Sequence, residues 1–518
     1  MNKIKNYSSL QNIFLFLLIL FSIAITFYSG YRGVFPLDSF LIFDGGYKIL
    51  NGFHPFKNYW SITGPFLDYV QSLLFFLFGV SWGSYILHSA LINVLLSTIC
   101  FYFFIKLGLN IFFSFTYALS IALLAYPSVG SPFMDHHAAI FSLMSLIFLI
   151  LAIKKNNKFF WFLVPFTLSI SFLSKQIPSA YLLVLFILFV VLNFNIKGKK
   201  NYTSIKYLLL GSIFSLLIFS FILMINKISI NDFLIQYILY PLSIGEERSS
   251  NLTLDFKNLI AQFKFIYFSL IPLIFFLYLN VKKEIKKKNK VDILIISLVF
   301  CSVLIFIYVQ LLTKNQVLIF FLIPFCLGLS HLFIKSYSKK DVFPFLLIFL
   351  LTISNVKYHL RYNVEKKFME LGNVDFNLSK NAEILDKRLR NLKWISPNYK
   401  KSPIDELVLL IDSKEKILNS NEKKIIISDY QILPAITENK NFAPNKWFDN
   451  LSVPKINNPY FKEYQDFFLK NMTNQDIKKI YIVGEKKEQY IEFFLSKNGC
   501  FNKNNLNKIM IEIELKIC

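Results

Sequence analysis

Apolar runs long enough to cross a bilayer recur along the first two thirds of the chain, and they leave few folds open. A span needs about 20 apolar residues. Inside hydrocarbon every backbone N–H and C=O must be paired within the protein, which here selects helices. Eleven runs can be placed, with approximate cores at residues 12–28, 85–105, 111–127, 137–153, 159–174, 178–195, 207–226, 262–280, 292–312, 317–334 and 342–354. Hydrophobic residues make up 55% of the 518 positions, 59 of them Phe, which is more than a soluble core absorbs. The first run follows Lys3 and Lys5. It is long and no A-x-A site follows, so it is expected to be an uncleaved span rather than a signal peptide.

The net charge of +24 does not point to nucleic acid once its placement is considered. The Lys residues cluster between apolar runs: Lys154, Lys155 and Lys158; Lys197, Lys199 and Lys200; Lys282, Lys283, Lys286, Lys287, Lys288 and Lys290; Lys335, Lys339 and Lys340. With the N-terminus inside, all four clusters fall in cytoplasmic loops, as the positive-inside rule requires. The expectation is a multi-pass protein of the plasma (inner) membrane. The segment GPFLDYVQSLLFFLFGV, residues 64–80, is short and carries Asp68 and Gln71. As a span it would put the later Lys clusters outside, so it is read as a helix lying along the outer interface or dipping into it.

Two outer loops are long, about 30–83 and 227–260. Residues 1–354 form the expected membrane domain. From residue 355 the composition turns to Lys, Asn, Glu and Asp, and the runs KKIIISDYQILPAI and KKIYIVG precede turn or helical stretches. Residues 355–518 are therefore expected to be a small α/β domain outside the cytoplasm. It has no Walker or GxGxxG loop. Cys100, Cys301 and Cys326 lie in apolar runs; Cys500 and Cys518 lie in this outer part, where a disulfide is permitted.

Ionisable residues at a membrane boundary are expensive without a partner or a role, so the outer turns hold the candidate chemistry. Asp38 lies just beyond the first span, where a partly desolvated carboxylate could act as a general base; it could equally be a loop residue or a cap. Asp44 precedes Gly45-Gly46 and is a second carboxylate or a cap. His54 and Lys57 flank a Pro-containing turn, and Tyr59 and Trp60 suit an interface. Asp135, His136 and His137 open the fourth span. They could bind substrate or, with a further ligand, a divalent metal; the plainer alternative is a capped polar first turn. Lys175, followed by Gln176, stands on a face that should be Lys-poor. It could hold a phosphate as a point charge or snorkel to the interface. Glu246, Glu247 and Arg248 could bind substrate or one another.

The first loop resembles the membrane glycosyltransferases of the GT-C superfamily, in the bacterial branch related to protein mannosyltransferases and the aminoarabinose transferase of lipid A. That branch has an acidic residue after the first span, then a pattern like "a..ll.G..pY.d.w...gPl.y......lfG". The matching stretch is DSFLIFDGGYKILNGFHPFKNYWSITGPFLDYVQSLLFFLFG. Asp38-Ser39 falls at the acidic position, Ile49, Leu50 and Gly52 at "ll.G", Pro55-Phe56 at "pY", Gly64-Pro65 at "gP" and Leu77-Phe78-Gly79 at "lfG". SFLSKQIPS is similar to the "l..K" element of a later span. The branch often has Asp-Glu where this chain has Asp38-Ser39, Asp where it has Asn58, and a basic residue where it has Ile62 or Thr63. Those departures bear on sugar specificity and on activity.

The resemblance implies a polytopic GT-C fold and transfer outside the cytoplasm, from a polyprenyl-phosphate-linked sugar to a hydroxyl of a lipid, glycan or protein. Asp38 would be the base and Lys175 a contact for the donor phosphate. Asp135, His136 and His137 would line the cavity, with or without a divalent metal. Two alternatives remain open: a lipid-linked sugar transporter or flippase, and a non-catalytic partner in envelope glycan assembly.

Overall fold

The computed structural model describes residues 2–125, 130–197, 202–245, 249, 252–282, 287–314, 318–337, 342–367, 371–498 and 500–516. The expected Glu246, Glu247 and Arg248 lie outside the described residues. So do Lys199, Lys200, Lys283, Lys286, Lys339, Lys340 and Cys518.

The chain is predominantly helical. The first nine helices are α1 (Asn2–Gly30), α2 (Leu41–Leu50), α3 (Phe66–Phe78), α4 (Trp82–Leu107), α5 (Ile111–Leu124), α6 (Met134–Lys155), α7 (Lys158–Ser174), α8 (Ser179–Lys197) and α9 (Tyr202–Ile225). Lys264–Lys282, Lys287–Thr313, Leu322–Tyr337 and Val342–Tyr358 follow. Among the described residues seven helices are long and apolar enough to cross a membrane, and shorter apolar helices alternate with them. Each of the eleven expected runs coincides with one of these helices. The chain is a multi-pass membrane protein by this architecture.

Two runs differ in extent from the sequence expectation. The run expected at 317–334 becomes helical only at Leu322. An earlier start would put Pro324 in the helix interior, where it would clash with the preceding turn, whereas the first turn tolerates it. The run expected to end at 354 continues to Tyr358 and then as a π-turn to Val364. Lys357 and Arg361 disguise that extension. Tyr358 and Tyr362 stack on Phe320 with centroids 3.9 and 5.7 Å away, carrying the helix onward.

Contacts between helix ends bring Lys106, Lys154 and Lys158 to one side. Lys154 pairs with Asp292 and lies 5.7 Å over the Phe333 ring. Lys158 lies 5.8 Å over Tyr207, and Lys106 lies 4.7 Å over Phe160. At the opposite ends of the helices sit the loop after α1 and the C-terminal part. Gly33 N and Val34 N donate to Lys393 O and Ile395 O, both at 2.9 Å.

Helix α3 has 13 residues, about 20 Å of rise, too short for a bilayer core of about 30 Å. Asp68, Gln71, Leu67 and Phe75 are buried on one face, while Leu73, Phe76 and Leu77 are exposed on the other. It packs on α2 closely because α2 carries two glycines. A Cβ on Gly45 would come within 2.4 Å of the Asp68 carboxylate, and one on Gly46 within 2.6 Å of Gln71.

The loop expected at 227–260 is largely helical between Ile230 and Ser243. Phe233, Tyr237 and Tyr240, spaced by four and three, form a buried face there.

The C-terminal part has a four-stranded sheet in the order β3-β4-β6-β5. Its strands are β3 (Lys424–Ser428), β4 (Lys479–Val483), β5 (Phe501–Asn507) and β6 (Met510–Leu515), after a short antiparallel pair, β1 (Lys380–Asn381) and β2 (Lys393–Trp394). β3 and β4 are parallel, and β6 runs antiparallel to β4 and β5. Helix Pro403–Leu418 begins with Pro at its N-terminus and Asp405 and Glu406 in its first turn, which suits the helix dipole. Buried Glu406 accepts from Trp394 Nε1 (2.7 Å), Ser396 Oγ (2.8 Å) and Tyr430 OH (2.7 Å). Cys500 is disulfide-bonded, and Cys100, Cys301 and Cys326 are free.

One apolar core joins the first loop to this part. Phe40 stacks on Trp394 and meets Trp82 edge-on, with both centroids at 5.8 Å, and all three rings are fully buried. Full burial of a Phe side chain stabilises by about 1.5–3 kcal/mol.

Candidate active site

Asp38 sits in a tight turn between α1 and α2. Ser39 Oγ accepts from Phe35 N (2.8 Å), Ser39 N donates to Phe35 O (3.0 Å), and Phe40 N donates to Leu37 O (3.0 Å). Leu37 has φ +72°, a left-handed conformation that a bulky residue rarely adopts. Its N–H donates to Asp429 O at 2.5 Å, one residue past β3. The aromatic core thus holds Phe40 and the end of β3 holds Leu37, fixing Asp38 and Ser39 between them.

The Asp38 side chain is half-buried. Its carboxyl is pushed up to about 7, first by burial, then by the negative charges of Asp135 and Asp449, against a lowering by Lys175. Asp135, Asp449 and Lys175 are therefore close enough to act on the ionisation of Asp38. The four residues come from the first loop, the start of α6, the end of α7 and the C-terminal part.

Lys175 Nζ donates to Asp135 Oδ1 at 2.6 Å, with side-chain exposures of 13% and 3%. Lys175 caps the C-terminal end of α7, and its N–H donates to Ser171 O at 3.0 Å. That helix end is pressed against the Gly64-Pro65 turn: a Cβ on Gly64 would lie 1.8 Å from Leu173 O, so only glycine fits. Asp449 accepts from Leu451 N (3.0 Å) and Ser452 N (2.6 Å). Gln176 uses its amide N–H groups on Ile62 O (3.0 Å) and Tyr237 O (2.8 Å), which ties both outer loops to the end of α7.

Asp44 and Tyr59 belong to a second, sealed cluster. Asp44 pairs with Lys48 at 2.7 Å within α2, and burial pushes its carboxyl up. Tyr59 OH donates to Asp68 Oδ2 (3.2 Å), and Lys48 Nζ lies 4.9 Å over the Tyr59 ring. Lys446 of the C-terminal part completes the cluster through Asp68 and through Thr63 Oγ1 (3.3 Å). Between α2 and β3 lies a cavity of about 20 Å³. Three buried oxygens without a hydrogen-bond partner, Asp44 Oδ1, Gln431 Oε1 and Asn445 Oδ1, belong to residues lining it. Its size and polarity suit one water molecule.

The remaining candidates lie elsewhere. His54 Nδ1 meets Tyr69 OH at 3.1 Å, and burial pushes its imidazole below the usual range. Lys57 Nζ donates to Asn226 O at 2.9 Å, beyond the end of α9. His136 Nε2 meets Ala125 O (3.1 Å) and His137 Nδ1 meets Phe133 O (3.0 Å), both rings fully buried. Successive residues on a helix point about 100° apart, so Asp135 turns to Lys175 while the two imidazoles turn to backbone. Among the described residues no group of three or more His, Cys, Asp or Glu is arranged to hold a metal ion.

Two charged residues here escape a reading of the sequence. Asp449 and Lys446 lie in the stretch NKNFAPNKWFDN, where seven of twelve residues are charged or amide-bearing, and nothing local distinguishes them. Asp68 carried a signal, being an acid inside an apolar run.

No family model matches this chain, and no curated protein matches it. Among solved structures it is similar to ArnT from Cupriavidus metallidurans bound to undecaprenyl phosphate, at 12% identity and a TM-score of 0.48, covering 99% of this chain and 98% of that one. The apo state of the same ArnT gives 13% identity and a TM-score of 0.45, with 98% of each chain covered. The archaeal oligosaccharyltransferase AglB from Archaeoglobus fulgidus, in complex with an inhibitory peptide and a dolichol-phosphate, gives 13% identity and a TM-score of 0.45, covering 92% of this chain and 70% of that one.

Proposed function

We propose that this chain is a membrane glycosyltransferase that moves a sugar from a polyprenyl-phosphate donor to a hydroxyl of a lipid, glycan or protein acceptor, with Asp38 as general base. The observation that carries this reading is the half-buried Asp38 carboxyl, pushed up to about 7, in the electrostatic reach of the Lys175 ammonium. A general base works best when its pKa lies near the working pH. An ammonium suits a phosphate as a point charge, and Asp135 steers Lys175 without removing it from that neighbourhood. The first-loop pattern around Asp38, Gly52 and Gly64-Pro65 supports the same chemistry.

On this reading the acceptor oxygen attacks the anomeric carbon while its proton passes to Asp38. The bond from that carbon to the phosphate oxygen breaks, and the charge left on the phosphate faces Lys175. The reaction side is the side of the C-terminal domain, residues 355–518, opposite the Lys clusters. Those clusters mark the cytoplasmic face of the plasma membrane.

The test is complementation of a deletion strain of the native host, with glycans profiled by mass spectrometry. Wild type restores the missing sugar, and Asp38→Asn does not at equal membrane abundance. Restoration by Asp38→Asn would remove Asp38 as the base.

A further inference from the structure

Lys158 opens α7 on the Lys-rich side, and its Nζ stands 5.8 Å over the ring of Tyr207 near the start of α9. Below that pair lies an apolar groove of about 530 Å³. Phe159 and Phe162 of α7 and Leu210, Ile213, Phe214 and Leu217 of α9 line it. The groove opens outward: Phe159, Ile213 and Leu217 are 62%, 50% and 63% exposed. Among the described residues no carboxylate pairs with Lys158, in contrast to Lys154, which Asp292 neutralises.

Length and charge together specify an occupant. Tyr207 to Leu217 spans about 15 Å of helix at 1.5 Å per residue. That is half of the roughly 30 Å hydrocarbon core, the depth of one leaflet. The ammonium stands at one end of this depth, where that leaflet's headgroups lie. Helix α9 is the least buried of the candidate spans, with 11% of its apolar window buried. It is pinned to α7 through Gly211, where a Cβ would lie 2.3 Å from Phe162 O. Beside that close contact the two helices leave an apolar trough with a cation at its head.

We propose that this groove binds an anionic phospholipid from the leaflet on the Lys-rich side, one acyl chain along α9 and the phosphate at Lys158. The site lies at the opposite end of α7 from Lys175, so it is separate from the candidate active site and does not rest on the transferase reading.

Native mass spectrometry of the full chain in micelles holding equal amounts of phosphatidylglycerol and phosphatidylcholine tests it. The expected result is one phosphatidylglycerol retained under activation that strips phosphatidylcholine. Loss of one cation near the headgroups should lower that preference about fivefold in Lys158→Gln. Ile213→Trp, which fills the trough from an exposed position without changing charge, should remove the bound lipid. Should one variant fail to accumulate, the other and the wild-type preference still decide. Equal retention of both lipids by wild type, or unchanged retention in the variants, overturns the proposal. So does displacement of phosphatidylglycerol by equimolar undecaprenyl phosphate, which would assign the groove to the lipid carrier.

Discussion

Lys446 donates to both carboxylate oxygens of Asp68, at 2.9 and 2.7 Å, with the two side chains 1% and 0% exposed. The pair joins the C-terminal part to α3, the amphipathic helix within the first outer loop, and Tyr59 and Thr63 complete its hydrogen bonding. Breaking one side of a buried pair strands the other charge, at about 3–5 kcal/mol. Lys446→Met should therefore lower the thermal unfolding midpoint of the purified protein sharply. Adding Asp68→Asn should recover much of the loss. Equal midpoints for the single and double variants would mean that the stranded charge is not what destabilises.

On the proposed role of Asp38 as base, activity and stability should respond to pH in opposite senses. As a base it works ionised, so the transfer rate should rise about tenfold per pH unit below 7 and level off above it. Its folded pKa is raised above the unfolded value, so the folded state holds the extra proton between about pH 4 and 7. The stability contribution is full below the unfolded value and is lost as pH rises through 7. Rate profiles and unfolding midpoints across pH 5–8 check this. Asp38→Asn should flatten the stability trend and lower the rate by about 10²–10⁴-fold.

The neighbours of Asp38 should move that rate limb in predictable directions. Lys175→Met removes a lowering influence and should shift the limb to higher pH; if Lys175 faces the donor phosphate as proposed, it should also cut the rate by about 10²–10³-fold. Asp449→Asn removes a raising influence and should shift it to lower pH. Profiles that coincide with wild type in both variants would show that these groups do not sense one another.

Gly64→Ala should cost stability and activity together, because the new Cβ meets Leu173 O at 1.8 Å on the helix end that carries Lys175. Overpacking of this kind costs about 1–3 kcal/mol or more. Gly245→Ala is the control, since its Cβ would meet nothing within 4 Å. It should be near neutral in unfolding midpoint and rate.

The membrane helices were legible because continuous apolar runs and Lys-rich breaks are local signals. Even there the ends went astray where an aromatic stack outweighed charge, as at Tyr358 and Tyr362, or where Pro324 set a late start. Asp38 and Lys175 stood out as ionisable residues at a boundary, and the structure brings them into the same electrostatic neighbourhood with Asp135. What could not be read was the other half of each pairing. Lys446 meets Asp68, and Asp429 holds Leu37, across most of the chain's length. Such partners are fixed by how the C-terminal part docks, which leaves no periodicity or spacing in the sequence. The adjacency of Asp135, His136 and His137 invited a shared role, yet helix geometry turns the imidazoles toward carbonyl oxygens.

Leu37 is held in its left-handed backbone conformation by a hydrogen bond to Asp429. Such a conformation costs about 1–3 kcal/mol and lasts only while something opposes its relaxation. During synthesis all the membrane helices leave the ribosome long before residue 429 does. Throughout that interval the turn bearing Asp38 lacks the clamp on Leu37. A half-made chain would thus sit in the membrane with its carboxylate unset, and competence for chemistry would arrive only when the last third of the polypeptide folds down onto the first loop.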